Sequence, residues 1–277
     1  MVMSVGEHGL ATLRCANFLS SLLQETYSAI ASYVGQQLGM EVVFNTGHRL
    51  DEFQDGRSDF GFLCGLLYVR AHATPEDPVD LLAAPVLLPE RYQRQPRYFS
   101  DVVVRRESDA QDFADLGGKS WAYNEEASHS GYNLVQYSLL QRQQTAGYFA
   151  KTIRSGSHLQ SLELVLQGEA DATAIDSHIL DVLLLRNPHL ASQIRVIDVL
   201  GPSTIPPIVA ARRLPASLKQ RVQQALLNMH EDPRQAALLH LGGIERLVAV
   251  QDDDYQDIRT MLARVRSDEQ QHAHIAL

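Results

Sequence analysis

The sequence predicts an α/β protein whose two domains are joined by two crossing strands. Short apolar runs alternate with segments of helical periodicity from residue 10 to residue 199, which is typical of βαβ units around a largely parallel sheet. Two extended segments, residues 98–104 and 205–211, separate blocks of this alternation. A chain of 277 residues has room for one large or two medium domains.

The two extended segments divide the chain into a discontinuous first lobe and a continuous second lobe. The first lobe comprises residues 1–98 plus 212–277, and the second lobe comprises residues 99–211, including the hinge strands. We therefore expect the chain to cross twice between the lobes. A pair of crossings of this kind acts as a hinge.

The first lobe begins with a strand over residues 10–15. Apolar residues then recur at steps of three and four over residues 18–38, which predicts an amphipathic helix that ends at Gly39. The same reasoning predicts further strands at residues 41–45, 59–64 and 81–88, and short helices at residues 50–56 and 66–73.

The second lobe repeats the alternation, and the chain after it is helical in pattern. Strands are predicted at residues 99–106, 120–123, 149–154, 170–175 and 194–199, and helices at residues 131–144, 155–166 and 179–185. Prolines keep residues 202–211 extended, and nearly all of the chain from Pro215 onward has a helical pattern.

Charge and hydropathy exclude several classes of protein. The formal net charge of -9 argues against a nucleic-acid partner, because phosphate backbones select basic surfaces. A small anion stays possible, since it needs only a local group of hydrogen-bond donors. No apolar run is long enough for insertion into a membrane.

The start of the chain leaves the compartment open. Residues 1–15 lack both a basic segment and a continuous apolar segment of the kind found in export signals. The protein is therefore expected to be periplasmic or lipid-anchored if a signal was removed, and cytoplasmic if the chain is complete as given.

Residues 128–131 form the most informative short segment. They lie between the predicted strand 120–123 and the predicted helix 131–144, so small hydroxyl residues open a helix. The first turn of a helix has unpaired N–H groups at the positive end of its dipole, and the serine hydroxyls add donors. This arrangement suits a small oxyanion, and the alternative is that Ser128 or Ser130 only caps the helix.

Seven segments, taken in order, resemble the phosphonate- and phosphite-binding proteins of ABC transporters, which have the type 2 periplasmic-binding-protein fold. The resemblance covers most of the chain and implies two lobes that close on a small ligand, without catalysis or a cofactor. The segments are GRSDFGF (56–62), RYFSDVVVR (97–105), DLGGK (115–119), SHSGY (128–132), SGSH (155–158), GEADA (168–172) and IPP (205–207).

The resemblance implies an anion site built from two helix starts. Ser128, His129, Ser130 and Gly131 match the serine turn of the family, and His158 matches its anion-binding histidine. His129 stands where the family has a threonine, so this chain lacks one hydroxyl donor of the turn.

The resemblance also implies an aromatic cover and one acidic group. Tyr98 or Phe99 matches the aromatic residue at the hinge that covers the ligand, and Asp176 lies near a family carboxylate. Members that take amino-phosphonates have a second carboxylate after the Ile-Pro pair, where this chain has Pro207 and Ile208. We therefore expect a smaller or non-amino oxyanion.

The two cysteines admit two interpretations. Cys15 and Cys64 each end a predicted strand of the first lobe, and ligands of open α/β sheets bind beyond the carboxyl ends of strands. Both thiols could then line the cleft and bind a soft metalloid or act as a redox control. The alternative is that both are buried apolar residues.

The predicted function is capture of a small oxyanion, for transport with an ABC permease or for sensing with a signalling partner. The competing prediction is a cytosolic enzyme that uses His129 or His158 as acid or base, or a thiol-dependent sensor. No catalytic motif, no cofactor motif and no metal-ligand spacing is present in the sequence.

Overall fold

The computed structural model describes residues 12–74, 76–144 and 147–275. The predicted first strand begins outside these residues. Residues 1–11, which make up most of the segment considered for an export signal, also lie outside them. Strands are found at β1 Thr12–Asn17, β2 Glu41–Thr46, β3 Phe60–Phe62, β4 Val79–Leu87, β5 Arg97–Arg105, β6 Ser120–Tyr123, β7 Lys151–Arg154, β8 Ala172–Asp176, β9 Ile194–Thr204, β10 Ile208–Ala211 and β11 Ile244–Val248.

Helices lie between most of these strands, and short 3₁₀ turns precede several of the helices and strands. The α-helices are α1 Gln24–Leu38, α2 Gly65–His72, α3 Leu134–Gln141, α4 His158–Gln167, α5 Ser177–Arg186, α6 Ala216–Asn228, α7 Pro233–Leu241 and α8 Gln256–Ile275. Within the described ranges, no helix is both long enough and apolar enough to cross a bilayer.

The strands form two sheets, which confirms the predicted two-lobed α/β fold. The first lobe has six strands in the order β11-β4-β10-β3-β1-β2, and the second lobe has five strands in the order β7-β6-β8-β5-β9. Helix α1 packs its apolar stripe on the first sheet, where Ile30 and Val34 are fully buried.

Each sheet is mixed, which corrects the prediction of largely parallel sheets. In the first lobe β1 pairs in parallel with β2 and β3, whereas β10 pairs antiparallel with both β3 and β4. In the second lobe β6 pairs in parallel with β7 and β8, whereas β5 pairs antiparallel with β8 and β9. Two of the strands that run against their neighbours follow the passes between the lobes: β5 follows the first pass and β10 follows the second.

The prediction of a nearly all-helical segment after Pro215 did not include the strand β11. Residues Ile244–Val248 form a strand that pairs antiparallel with β4 at one edge of the first sheet. In this strand only Ile244 and Leu247 are fully buried, so the sequence does not show the strict alternation of a half-buried strand. Gly242 and Gly243 separate it from α7.

The passes between the lobes do not coincide with the extended segments seen in the sequence. Residues 88–96 connect β4 to β5, and residues 205–207 connect β9 to β10. Residues 208–211 belong to the six-stranded sheet through β10, and residue 97 already belongs to the five-stranded sheet. The lobe boundaries at residues 98, 99, 211 and 212 remain a prediction.

Candidate functional site

A cavity of about 340 Å³ lies between the two sheets. Side chains from both lobes line it. From the second lobe it is reached by the residue after β6, the end of β8, the serine turn before α3 and the beginning of α4. Of the residues predicted from the sequence, the cavity brings together Tyr98, Ser128, Ser130, His158, Asp176 and Cys64.

The serine turn opens a helix, as the sequence predicted. Ser128 has extended backbone angles at the N-cap, and its Oγ accepts a hydrogen bond from the Gly131 N–H at 3.1 Å. The first turn is a wide π-turn, because the Asn133 N–H donates to the Ser128 carbonyl five residues earlier. Ser100 Oγ donates to the Ser130 carbonyl at 2.7 Å and holds the turn against β5.

A second helix start meets this turn. Ser157 caps α4, whose first residue is His158, and His158 Nε2 lies 3.1 Å from Ser130 Oγ. Burial lowers the pKa of His158 to about 4, so the ring is neutral at neutral pH. The two helix starts therefore offer neutral donors and the positive ends of two helix dipoles to one point of the cavity.

Gly131 allows two polar side chains to approach the turn. A Cβ at this position would lie 2.0 Å from Asn124 Oδ1 and 3.2 Å from His158 Cε1. Asn124 lines the cavity, and its buried Oδ1 accepts no hydrogen bond from the described residues. The absence of a side chain at Gly131 therefore lets Asn124 and His158 lie close to the turn. Gly131 itself does not line the cavity.

His129 is placed differently from the other residues of the turn. Its side chain is fully buried and does not line the cavity. The ring bonds to Ser203 Oγ through Nε2 at 2.8 Å and to Asn133 Nδ2 through Nδ1 at 3.1 Å. Because Ser203 Oγ donates its own proton to Asp257, it accepts the hydrogen bond from His129. His129 Nε2 therefore carries the ring proton.

This chain of hydrogen bonds ties the serine turn to the hinge. Ser203 is the penultimate residue of β9, immediately before the pass at residues 205–207, and Asp257 lies at the start of α8. Burial lowers the pKa of His129 to about 4, so the ring stays neutral. His129 therefore positions the turn from outside the cavity.

Tyr98 and Phe99 separate in the structure. Tyr98 lines the cavity, and burial raises the pKa of its phenol, with further contributions from Asp176 and Cys64. The Phe99 ring instead packs 5.9 Å from the Tyr92 ring, outside the cavity lining. Of the two aromatic residues, Tyr98 is the one that lines the cavity.

Asp176 ends β8 and caps α5. Its Oδ1 accepts from the His178 N–H at 2.9 Å and from the Ile179 N–H at 3.4 Å. Burial raises the pKa of Asp176 to about 7, and the nearby carboxylates Asp101 and Asp181 add to the shift. Asp176 is thus a partly protonated acid in the cavity wall at neutral pH.

The two cysteines are both free, and only Cys64 lines the cavity. Cys15 is 1 % exposed and lies inside β1, which continues for two residues beyond it. Cys64 lies beyond the end of β3, at the N-cap of α2. Burial raises the pKa of the Cys64 thiol, although the N–H of His129 and two N–H groups of α2 act in the opposite direction.

We expect the two thiols to differ in reactivity and in their response to ligand. N-ethylmaleimide at pH 8 should modify Cys64 faster than Cys15, because only Cys64 is reached from the cavity. Ligand at ten times its Kd should slow the Cys64 reaction about tenfold. Mass spectrometry of Cys15→Ser and Cys64→Ser variants measures each thiol alone, and equal rates for the two thiols would contradict this placement.

Several lining residues were missed by the sequence interpretation. Asn124 follows the last residue of β6, so its position at the carboxyl end of a parallel strand was the available signal. The apolar lining was not predicted, because its residues read as ordinary core positions of the first lobe. It includes Phe18, Tyr27, Ile30, Phe62, Leu67, Ile208, Ile244 and Leu247.

Two α/β lobes with a ligand-sized cavity between them are typical of two-lobed solute-binding proteins. The chain belongs to the family of phosphonate periplasmic substrate-binding proteins of ABC transporters, whose model matches residues 16–255. The family resemblance stated from the sequence is confirmed. The family is one of substrate-binding proteins, and its members act in the periplasm.

Solved structures share the fold at low sequence identity. A binding protein component of an ABC phosphonate transporter from Pseudomonas aeruginosa is 16 % identical, with a TM-score of 0.81 over 94 % of this chain and 88 % of that chain. PhnD1 from Prochlorococcus marinus in complex with methylphosphonate is 18 % identical, with a TM-score of 0.79 over 92 % and 98 %. XAC2383 from Xanthomonas citri bound to ATP is 18 % identical, with a TM-score of 0.71 over 93 % and 99 %.

Proposed function

We propose that this protein binds a small phosphonate-type oxyanion reversibly between its lobes and releases it unchanged to an ABC permease. The observation that carries the proposal is the meeting of two helix starts in one cavity, with Ser130 Oγ 3.1 Å from His158 Nε2. Helix starts of this kind bind oxyanions through backbone N–H groups and hydroxyl donors.

The charge of the cavity favours a head group of low charge. Among the described residues that line the cavity there is no lysine or arginine, and Asp176 and Glu125 are the acidic ones. An anion must therefore be held by neutral donors and helix dipoles, next to a carboxyl group whose pKa is about 7. A singly charged phosphonate fits this environment better than a dianion, because it repels Asp176 less.

The two histidines and the cavity cysteine, which the competing prediction would use in catalysis, support binding instead. A general base works best when its pKa is near the operating pH, whereas burial lowers the pKa values of His129 and His158 to about 4. Both nitrogens of His129 are hydrogen-bonded outside the cavity. The raised pKa of the Cys64 thiol keeps its nucleophilic thiolate scarce at neutral pH.

Calorimetric titration with methylphosphonate tests the proposal. We expect one binding site per chain, and ³¹P NMR of the released ligand should show unchanged methylphosphonate. Dimethyl methylphosphonate is the matched control ligand, because it keeps the phosphorus and the methyl group but lacks the oxyanion, and it should not bind. Chemical conversion of the ligand would favour an enzyme, and the failure of both methylphosphonate and n-propylphosphonate to bind would overturn the proposal.

A further inference from the structure

The two lobes contribute different chemistry to the cavity. The second lobe provides most of the polar side chains, which include Asn124, Glu125, Ser128, Ser130, Ser157, His158, Asp176 and His178. The first lobe contributes Ser20, Ser21 and Cys64 and a larger apolar wall that includes Tyr27, Ile30, Phe62, Leu67, Ile244 and Leu247. A ligand between the lobes therefore meets hydrogen-bond donors on one side and hydrocarbon on the other.

The apolar wall is preformed. The Tyr27 and Phe62 rings stack with their centroids 4.2 Å apart, and both side chains are buried. Ile30, Ile244 and Leu247 are each at most 2 % exposed and are fixed by the core of the first lobe. A fixed apolar surface in a cavity contributes to affinity only when the ligand brings apolar atoms to it.

The cavity is larger than an oxyanion head requires. Phosphate has the bulk of about five water molecules, roughly 150 Å³ at ~30 Å³ for each water. The cavity volume is about 340 Å³, so more than half of it remains beside the head group. That remaining space adjoins the wall of the first lobe.

The returning pass between the lobes extends the apolar wall. Ile205, Pro206 and Ile208 line the cavity, and none of them carries a charge. An ammonium group on the ligand would meet no carboxylate from this segment. The acidic residues that line the cavity, Asp176 and Glu125, both belong to the second lobe.

We propose that the ligand of this cleft is an oxyanion with an uncharged hydrocarbon tail of several carbons, such as an alkylphosphonate longer than methylphosphonate. The second lobe binds the oxyanion head at Ser130 and His158, and the first lobe packs on the tail. This assignment rests on the proposed function and specifies the ligand class of the same site.

A calorimetric series at pH 7.5 tests the tail. The ligands are methylphosphonate, n-propylphosphonate and 2-aminoethylphosphonate, of which the last two match in length and differ in a methyl against an ammonium group. Burial of one methylene contributes ~0.8 kcal/mol, which is about fourfold in affinity. We therefore expect n-propylphosphonate to bind at least tenfold more tightly than methylphosphonate, and more tightly than 2-aminoethylphosphonate.

The outcomes separate this inference from the proposed function. If methylphosphonate binds and n-propylphosphonate binds no more tightly, or if the aminoethyl compound binds more tightly than the propyl compound, the hydrocarbon-tail assignment is wrong. If neither methylphosphonate nor n-propylphosphonate binds, the proposed function itself fails.

A pair of variants locates the tail. Leu67 is a partly buried residue of the apolar wall, and Leu81 is a partly buried leucine of the first lobe outside the cavity lining. Leu67→Asn should reduce the ratio of n-propylphosphonate to methylphosphonate affinity at least threefold, whereas Leu81→Asn should leave the ratio unchanged. Because the ratio is measured within one folded variant, a ratio unaltered in Leu67→Asn would overturn the placement of the tail.

Discussion

Replacing Ser128 and Ser130 together by alanine is expected to abolish the stabilisation of this protein by methylphosphonate. The change removes both hydroxyls of the turn, including the one that lies 3.1 Å from His158 Nε2. At one hundred times Kd a ligand stabilises the folded state by about 2.7 kcal/mol, so its loss is easily seen in thermal unfolding. Without ligand the variant should lose only about 1 to 2 kcal/mol, which is the usual cost of a lost helix cap.

The matched control for this variant is Asp232→Ala. Asp232 caps α7 by accepting from the Arg234 N–H at 2.8 Å, and it does not line the cavity. Its replacement should cost a similar amount of stability and leave the ligand-induced stabilisation intact. Equal stabilisation of the double-alanine variant and of Asp232→Ala by methylphosphonate would show that the serine hydroxyls do not hold the anion.

Replacing Asp176 by asparagine is expected to stabilise the ligand-free protein at alkaline pH. The folded state raises the pKa of Asp176 from its ordinary value of 3.8 to about 7, so between these values the folded state holds a proton that the unfolded chain has lost. Stability contributed by this group therefore falls as the pH rises from about 4 to about 7, and the loss is complete above that range.

Asparagine keeps the cap of α5 but carries no charge, so the stability of the variant does not fall over this pH range. Urea unfolding should show Asp176→Asn to be about 1 to 3 kcal/mol more stable than the wild type at pH 8, and equally stable near pH 4. A difference that does not depend on pH would contradict the assigned cause.

Asp171 provides a control of opposite sign. Burial acts to raise the pKa of Asp171, but hydrogen bonds from Ser120 outweigh it and lower the pKa. Stability from this carboxylate is present above the unfolded pKa and is lost as the pH falls through the folded one. Asp171→Asn should therefore destabilise the protein at pH 8, where Asp176→Asn stabilises it.

Local sequence patterns predicted the parts of the fold that local interactions determine. The apolar stripe of α1 and the start of a helix after the serine turn both follow from the spacing of residues along the chain. β11 was missed because its pairing with β4 lies far away in the sequence, and its five residues show no clear alternation. The antiparallel pairs that make the sheets mixed also join strands that are far apart in the sequence.

The same distinction explains the outcome at the site. His129 belongs to the turn in sequence, but Ser203 and Asp257 determine its direction, and they lie 74 and 128 residues away along the chain. The cysteines differ because β1 extends two residues past Cys15, whereas β3 ends before Cys64. To predict which way a side chain points, the last residue of each strand must be known more accurately than sequence periodicity defines it.

The most direct measurement is a crystal structure of the protein with bound methylphosphonate. We expect the phosphorus atom between the serine turn and the start of α4, with oxygen atoms within hydrogen-bond distance of Ser130 Oγ and His158 Nε2, and the methyl group towards Tyr27 and Phe62. Ligand bound at saturating concentration elsewhere on the protein, with this point of the cavity occupied only by water, would contradict it.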